Sequence, residues 1–108
     1  MTTTLIVARM TPDAAGRVAG IFAESDRTEL PGLVGVTRRR LFRYQGLYFH
    51  LFEAGEDGPR RVEEVRGHEL FADVNAKLAE HVKPYDERTW KSPRDAMAEE
   101  FYHWSVGS

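Results

Sequence analysis

An antiparallel α+β fold with the element order β-α-β-β-α-β is predicted by three features of this 108-residue sequence. A short β-branched run opens the chain and hands over to a proline-started amphipathic stretch. Two strand-like runs then flank a Gln-Gly pair. A second amphipathic stretch follows, and an aromatic-rich run closes the chain. No repeat, low-complexity tract or linker interrupts this alternation, so residues 1–108 are expected to form one domain.

Thr4–Met10 (TLIVARM) is apolar, β-branched and bounded by a turn signal, the pattern of a strand. Thr11-Pro12-Asp13 reads as a helix start, because threonine can cap, proline suits the first helical position and aspartate complements the dipole. Ala15, Val18, Ala19 and Phe22 follow at helical spacing, and the helix is expected to fade near Ser25-Asp26-Arg27, ahead of Pro31-Gly32. Val34–Tyr44 and Leu47–Glu53 form a hairpin around Gln45-Gly46. GEDGP, residues 55–59, is a loop that delivers proline to a short helix, Arg60–Arg66, with Gly67 as its break. Leu70, Phe71, Val74, Leu78 and Val82 predict a helix over Glu69–Val82, ended by Pro84. Residues 83–92 read as irregular. Ser92-Pro93-Arg94-Asp95 resembles a capping box, and Glu100–Val106 (EFYHWSV) is the expected closing strand. This order is the split βαβ, ferredoxin-like pattern, with helices on one face of an antiparallel sheet. The other face must be covered, and a second copy of the chain is the simplest cover, giving a homodimer of the dimeric α+β-barrel type.

Composition excludes several function classes. Apolar residues make up 42% and charged residues 30%, which is globular rather than disordered. The formal net charge of −2 opposes the basic excess of a nucleic-acid module. The absence of cysteine rules out disulfides, thiolate metal sites and a cysteine nucleophile, and is compatible with a reducing cytoplasm. No run approaches the ~20 apolar residues of a membrane span, and MTTTLIVARMTPD has neither the basic leader nor the apolar length of a signal peptide. A cytoplasmic protein with neither nucleic-acid nor membrane partners is expected. The spacings of His50, His68, His81 and His103 fit no common zinc pattern, and GEDG lacks the lysine of a phosphate-binding loop.

VTRRRLFRYQGLYFHL, residues 36–51, carries four arginines, four aromatic rings and a histidine. Strand alternation divides its arginines between two faces. It also lacks the glycines of an RNA-recognition signature. A two-residue turn at Gln45-Gly46 pairs Tyr44 with Leu47, Phe42 with Phe49 and Leu41 with His50. One face then carries Arg39, Leu41, Arg43, Tyr48, His50 and Phe52. The other carries Val36, Arg38, Arg40, Phe42, Leu47, Phe49 and Leu51, and its more apolar second strand makes it the expected packing surface under the helices. Arg39 falls diagonally across from His50.

FAESDRTELP at the end of the first helix, GVTRRRLFRYQGLYFHL in the hairpin, HELFADVN opening the long helix, PY at its end and AEEFYHWS near the C-terminus occur in order over nearly the whole chain. Together they make it resemble the small aromatic polyketide cyclases of the tetracenomycin-cyclase type. The resemblance implies a ferredoxin-like homodimer in type II polyketide biosynthesis, possible association with the synthase among its roles, and late ring closure on a partly cyclised poly-β-ketone intermediate without metal or organic cofactor. It also implies a catalytic set of Asp26, Arg39 and His50. The family pattern has a histidine immediately before that aspartate, where this chain has Ser25.

Ring closure requires a proton to leave the carbon between two carbonyls, stabilisation of the resulting enolate, and a held geometry. Imidazole suits the first task, so His50 is the expected base. A fixed guanidinium suits the second, so Arg39 is the expected electrostatic partner, with Arg43 as a substitute. Asp26 would orient His50 or pair with Arg39. Tyr48, Arg43, Phe52, Trp104 and Ser25 are the expected substrate contacts, since a planar ligand needs an apolar, aromatic pocket. Two other functions fit the same pattern: a cofactor-independent monooxygenase acting on an anthrone, and a non-catalytic subunit that binds a polyketide.

Overall fold

The computed structural model describes residues 2–107. Strands β1 (Thr2–Met10), β2 (Val36–Tyr44), β3 (Leu47–Ala54) and β4 (Val82–Pro84) form one antiparallel sheet in the order β2-β3-β1-β4. Helices α1 (Ala15–Ser25), α2 (Leu30–Val34), α3 (Gly58–Glu64) and α4 (Glu69–Leu78) complete the fold, with single 3-10 turns at Val65–Gly67 and Pro93–Ala96. The ferredoxin-like arrangement expected from the sequence is present.

The hairpin register is the expected one. Tyr44 pairs with Leu47, Phe42 with Phe49 and Leu41 with His50. Gln45 and Gly46 both take positive φ, 46° and 80°. This is the sign pattern of a type I′ turn, whose twist matches the strands it joins. Near the other end of β2 the ladder is irregular: Val36 opposes Ala54 while Arg38 opposes Glu53, leaving Thr37 as the extra residue. Such a bulge re-aims side chains. Val36 accordingly lines the helix-side cavity, not the Arg38–Arg40 face on which uninterrupted alternation had placed it.

The larger correction concerns which face the helices cover. Along β3, Tyr48, His50, Phe52 and Ala54 are buried, while Leu47, Phe49, Leu51 and Glu53 are only half-buried. The expected packing surface, with Leu47, Phe49 and Leu51, is therefore the open face. Helix α1 and its cap residue Ala14 supply Ala14, Val18 and Phe22 to a cluster with Ala8, Met10 and Tyr48. A second cluster joins Val34, Phe52, Ala54 and Val62, and Ile6 packs against both. Two smaller clusters leave room between them, and that room becomes the site.

Three boundaries also differ from expectation. Thr11 does not cap α1. Its hydroxyl and its N–H both donate to the His81 carbonyl, and Ala14 holds the cap position. Pro31 does not merely terminate α1. It starts α2, which ends on Gly35 in the left-handed conformation (φ 83°) that glycine adopts without steric cost. The second long helix stops at Leu78, so Val82 is a strand residue instead of a helical one: β4 pairs with Ala8–Met10 of β1.

β4 occupies the sheet position expected for Glu100–Val106. The chain does touch β1 once more, through the bridge between Ile6 and Met97 and the bond from Ala98 N–H to the Leu5 carbonyl. Beyond that it leaves the sheet, and Phe101, Tyr102, Trp104 and Val106 are exposed. At Ser92-Pro93-Arg94-Asp95 the expected capping box is present, with Asp95 accepting from the N–H groups of Ser92 and Lys91 at 3.1 and 2.7 Å. No described helix is long and apolar enough to cross a membrane.

Candidate active site

Between the sheet and the helices lies a cavity of about 460 Å³, within the range of small-molecule pockets. Its floor is the helix-side face of β1, β2 and β3: Ile6, Ala8, Arg39, Tyr48, His50 and Phe52. Helix α1 contributes Phe22 and Ser25, and α2 contributes Leu30, Pro31 and Val34. Helix α4 presents Phe71, Val74, Asn75 and Leu78. The helical stripe on α4 that reads in sequence as a core face is therefore largely a cavity wall. Lys83, Glu87 and Trp90, from the segment that reads as irregular, line the remaining side together with Pro93.

Arg39 and His50 meet on one wall, and Asp26, which does not line the cavity, meets Arg39 from behind. The Arg39 Nη1 donates to His50 Nε2 at 2.8 Å. Its Nη2 donates to Asp26 Oδ1 at 2.8 Å, and its Nε lies 3.2 Å from both carboxylate oxygens. The aspartate thus grips the guanidinium from the side away from the histidine. The Arg39 side chain is 16% exposed and that of Asp26 40%, so the pair runs from the cavity wall towards solvent. The guanidinium also lies over the Phe22 ring at 4.8 Å, a cation–π contact that restrains it from a third direction.

His50 is buried among rings. Phe22, Phe52 and Tyr48 lie 5.0, 5.3 and 6.2 Å from its centroid. Arginine has no acceptor and remains protonated, so in the Arg39–His50 bond the histidine nitrogen must accept. Nε2 therefore carries the lone pair, and the hydrogen of a neutral ring sits on Nδ1. Burial, then the adjacent Arg39 charge, holds the imidazole down to about 3 from its ordinary 6.5. His50 is neutral and weakly basic. Burial also raises the Tyr48 hydroxyl well above its ordinary value, outweighing the Arg39 charge, so it remains a phenol.

The other expected contacts divide. Ser25, Tyr48 and Phe52 line the cavity. Arg43 points elsewhere, with Nη1 donating to the Pro12 carbonyl at 3.4 Å and its side chain on a shallow hollow at the hairpin end. Trp104 lies in the exposed C-terminal segment and does not line this cavity. Asn75, Lys83, Glu87 and Trp90 are cavity residues that sequence reading did not single out. Only the spacing of Asn75 beside Val74 and Leu78 on α4 offered a signal. Among the described residues, no three His, Asp or Glu side chains converge to hold a metal ion.

Comparison with known proteins gives concordant matches. The family model described as polyketide synthesis cyclase matches residues 2–105. The polyketide synthase CurG of Streptomyces cyaneus is 51% identical over 93% of this chain and 94% of its own. Tetracenomycin F2 cyclase of Streptomyces glaucescens is 46% identical over 94% of this chain and 93% of its own. The solved structure of that cyclase, described as a type II polyketide cyclase, superimposes with a TM-score of 0.91 and 43% identity, covering 98% of this chain and 99% of the other. An antibiotic biosynthesis monooxygenase shares the fold alone, with a TM-score of 0.50 and 17% identity over 75% of this chain and 86% of its own.

Proposed function

The chain belongs to the polyketide synthesis cyclase family, and from that premise we propose that it closes a late ring on a partly cyclised aromatic poly-β-ketone by aldol-type condensation and loss of water. The observation that carries this reading is the apolar cavity with Arg39 and His50 on its wall and Asp26 holding Arg39 from behind. A carbon between two carbonyls is already partly enolised. Its attack on a second carbonyl therefore gains most from being held in reach and from polarisation of that carbonyl. The apolar lining supplies the first, since correct orientation within one molecule lowers the barrier by several kcal/mol, on the order of 7 or more in favourable cases. The Arg39 charge, fixed by Asp26 and Phe22, supports the second. The enol carbon forms the new C–C bond, the enol oxygen releases its proton, the attacked oxygen takes one up, and departure of water leaves an aromatic ring. No electron is exchanged with an external oxidant, and no metal or organic cofactor enters this scheme.

A homodimer belongs to the same reading. The open sheet face carries Leu5, Val7, Leu47, Phe49 and Leu51, all half-buried, with Phe42 exposed. An antiparallel sheet of this kind is covered most simply by its own copy. A cytoplasmic place beside a type II synthase is consistent with the cysteine-free sequence.

The test is incubation of purified protein with an uncyclised aromatic precursor, scoring ring closure by the mass loss of water. Acceleration by the wild-type protein supports the reading, and no acceleration across precursors of differing chain length sinks it. Oxygen uptake with a quinone product would move the assignment to the monooxygenase chemistry, and tight binding without turnover to a carrier. Sedimentation of wild type and Phe49→Asp checks the dimer, which the charged variant should dissociate.

A further inference from the structure

The geometry points to His50 as a neutral hydrogen-bond donor, which uses Nδ1–H together with the Tyr48 hydroxyl to hold a carbonyl oxygen of the ligand, in place of the proton-abstracting role that its residue type implies. The inference rests on the cyclase reading for the identity of that oxygen. It rests on the structure alone for the direction of the hydrogen bonds.

Two observations carry it. The first is the bond from Arg39 to His50 Nε2 at 2.8 Å. A guanidinium can only donate, so this contact occupies the lone pair that a base would use and leaves a donor on the far side of the ring. The second is the state of the buried polar side chains on the cavity wall. Tyr48 and His50 are 4% and 6% exposed, line the cavity, and stand two residues apart on the same face of β3. No hydrogen bond ties the Tyr48 hydroxyl or His50 Nδ1 to a described residue, and neither is among the fully buried side-chain atoms left without a partner, so both atoms stay reachable from the cavity that their side chains line. Two accessible donors on one apolar wall match a ligand that supplies acceptor oxygens there, and a poly-carbonyl compound is of that class.

The surroundings keep both donors neutral. Arg39 on β2 faces the histidine, and Asp26 beyond α1 faces that arginine. Lys83 and Glu87 are the other charged side chains lining the cavity, on its remaining wall. A cation held against the ring opposes protonation of His50, and burial opposes ionisation of Tyr48. When the enol carbon attacks, the π electrons of the acceptor carbonyl move onto its oxygen. Donors already aimed at that oxygen bind it more tightly in the transition state than in the ground state. The proton lost from the enol oxygen goes to water, which also returns one to the new alkoxide.

Four measurements test the assignment. Two-bond ¹H–¹⁵N spectra of histidine-labelled protein should show His50 protonated at Nδ1 and bare at Nε2, unchanged from about pH 5.5 to pH 8, where an ordinary histidine titrates. A proton on Nε2, or titration in that window, overturns it. In the ring-closure assay, His50→Asn places an amide N–H near the position of Nδ1–H and should stay within about tenfold of wild type, while His50→Gln and His50→Ala fall by about 100-fold, the usual cost of a lost donor. An asparagine variant that folds and is as slow as alanine overturns it too. Tyr48→Phe should lower kcat/KM by about tenfold or more without lowering Tm, because the hydroxyl it removes has no protein partner. A fall in Tm with unchanged turnover would make Tyr48 structural. Titration with a dihydroxyanthraquinone and with anthracene separates this inference from the cyclase reading: only the oxygenated probe should bind more weakly to Tyr48→Phe, whether or not any precursor is turned over. Equal weakening of both probes counts against the donor pair.

Discussion

Tyr48, His50 and Phe52 alternate along β3 with Leu47, Phe49 and Leu51, so the two sets share a backbone and a set of neighbouring strands but face different surroundings. On the helix side, α1, α2 and α4 line a cavity whose buried histidine is pinned by a salt-bridged arginine. On the open side, the more apolar residues remain half-exposed, alongside exposed Arg38 and Arg40. The chain therefore places its polar chemistry under its own helices and leaves its more uniformly apolar face for another surface. A histidine and an arginine on a cavity wall need fixed partners, and covalently tethered helices supply them at all concentrations. An apolar face needs only area, and a second copy can supply that.

The contrast can be broken most strongly through packing. Phe52→Ala should lower unfolding stability by about 3–5 kcal/mol, the cost of emptying an aromatic core position. Phe49→Ala should cost clearly less in denaturant titrations at low protein concentration, where no second copy covers it. Equal losses would mean that the two faces are equally buried in the working protein.

The arginines come next. Arg39→Ala should reduce kcat/KM by about 100-fold, or about 2.7 kcal/mol, through loss of a fixed charge at the reacting oxygen. Arg40→Ala, one residue away on the other face, should leave kcat/KM near wild type. Comparable losses in both variants would place substrate on both faces of the sheet.

Acid sharpens the contrast through His50. Its pKa falls from 6.5 to about 3 on folding, so between these values the unfolded chain binds a proton that the folded chain refuses. Stability from this group is present above 6.5 and is lost as pH falls towards 3. Going from about pH 7 to pH 5 should cost about 2 kcal/mol, and His50→Asn should flatten that slope. An unchanged slope in the variant would show that His50 is not held neutral.

The smallest effect is expected at the solvent end of the chain. Asp26→Asn keeps a hydrogen-bond acceptor for Arg39 but removes the countercharge, so kcat/KM should drop by about tenfold, or about 1.4 kcal/mol. A loss as large as that of Arg39→Ala would give Asp26 a direct part in the chemistry.

Much of the fold and part of the site were legible in the sequence. Alternation and the Gln45-Gly46 turn set the hairpin register, and the register alone brings Arg39 diagonal to His50. Helical spacing marked Phe71, Val74 and Leu78 as one face, without saying that the face lines a void. Trp104 and Arg43 were chosen by residue type, which does not reveal where a side chain points. Lys83, Glu87 and Trp90 lie in a stretch with no periodicity, so nothing local marked them.

Local chemistry, then, determined the order of elements, the pairing of β2 with β3 and the β2 neighbours of His50, because strand period and turn type act over a few residues. Long-range packing determined which sheet face went under the helices, and placed Val82–Pro84 instead of Glu100–Val106 beside β1. Both choices are competitions between surfaces of similar apolarity, decided by what α1 and α4 can reach. The same packing turned His50 from a titratable residue into a neutral, oriented one, since burial and the direction of the Arg39 hydrogen bond exist only once the chain has closed around them.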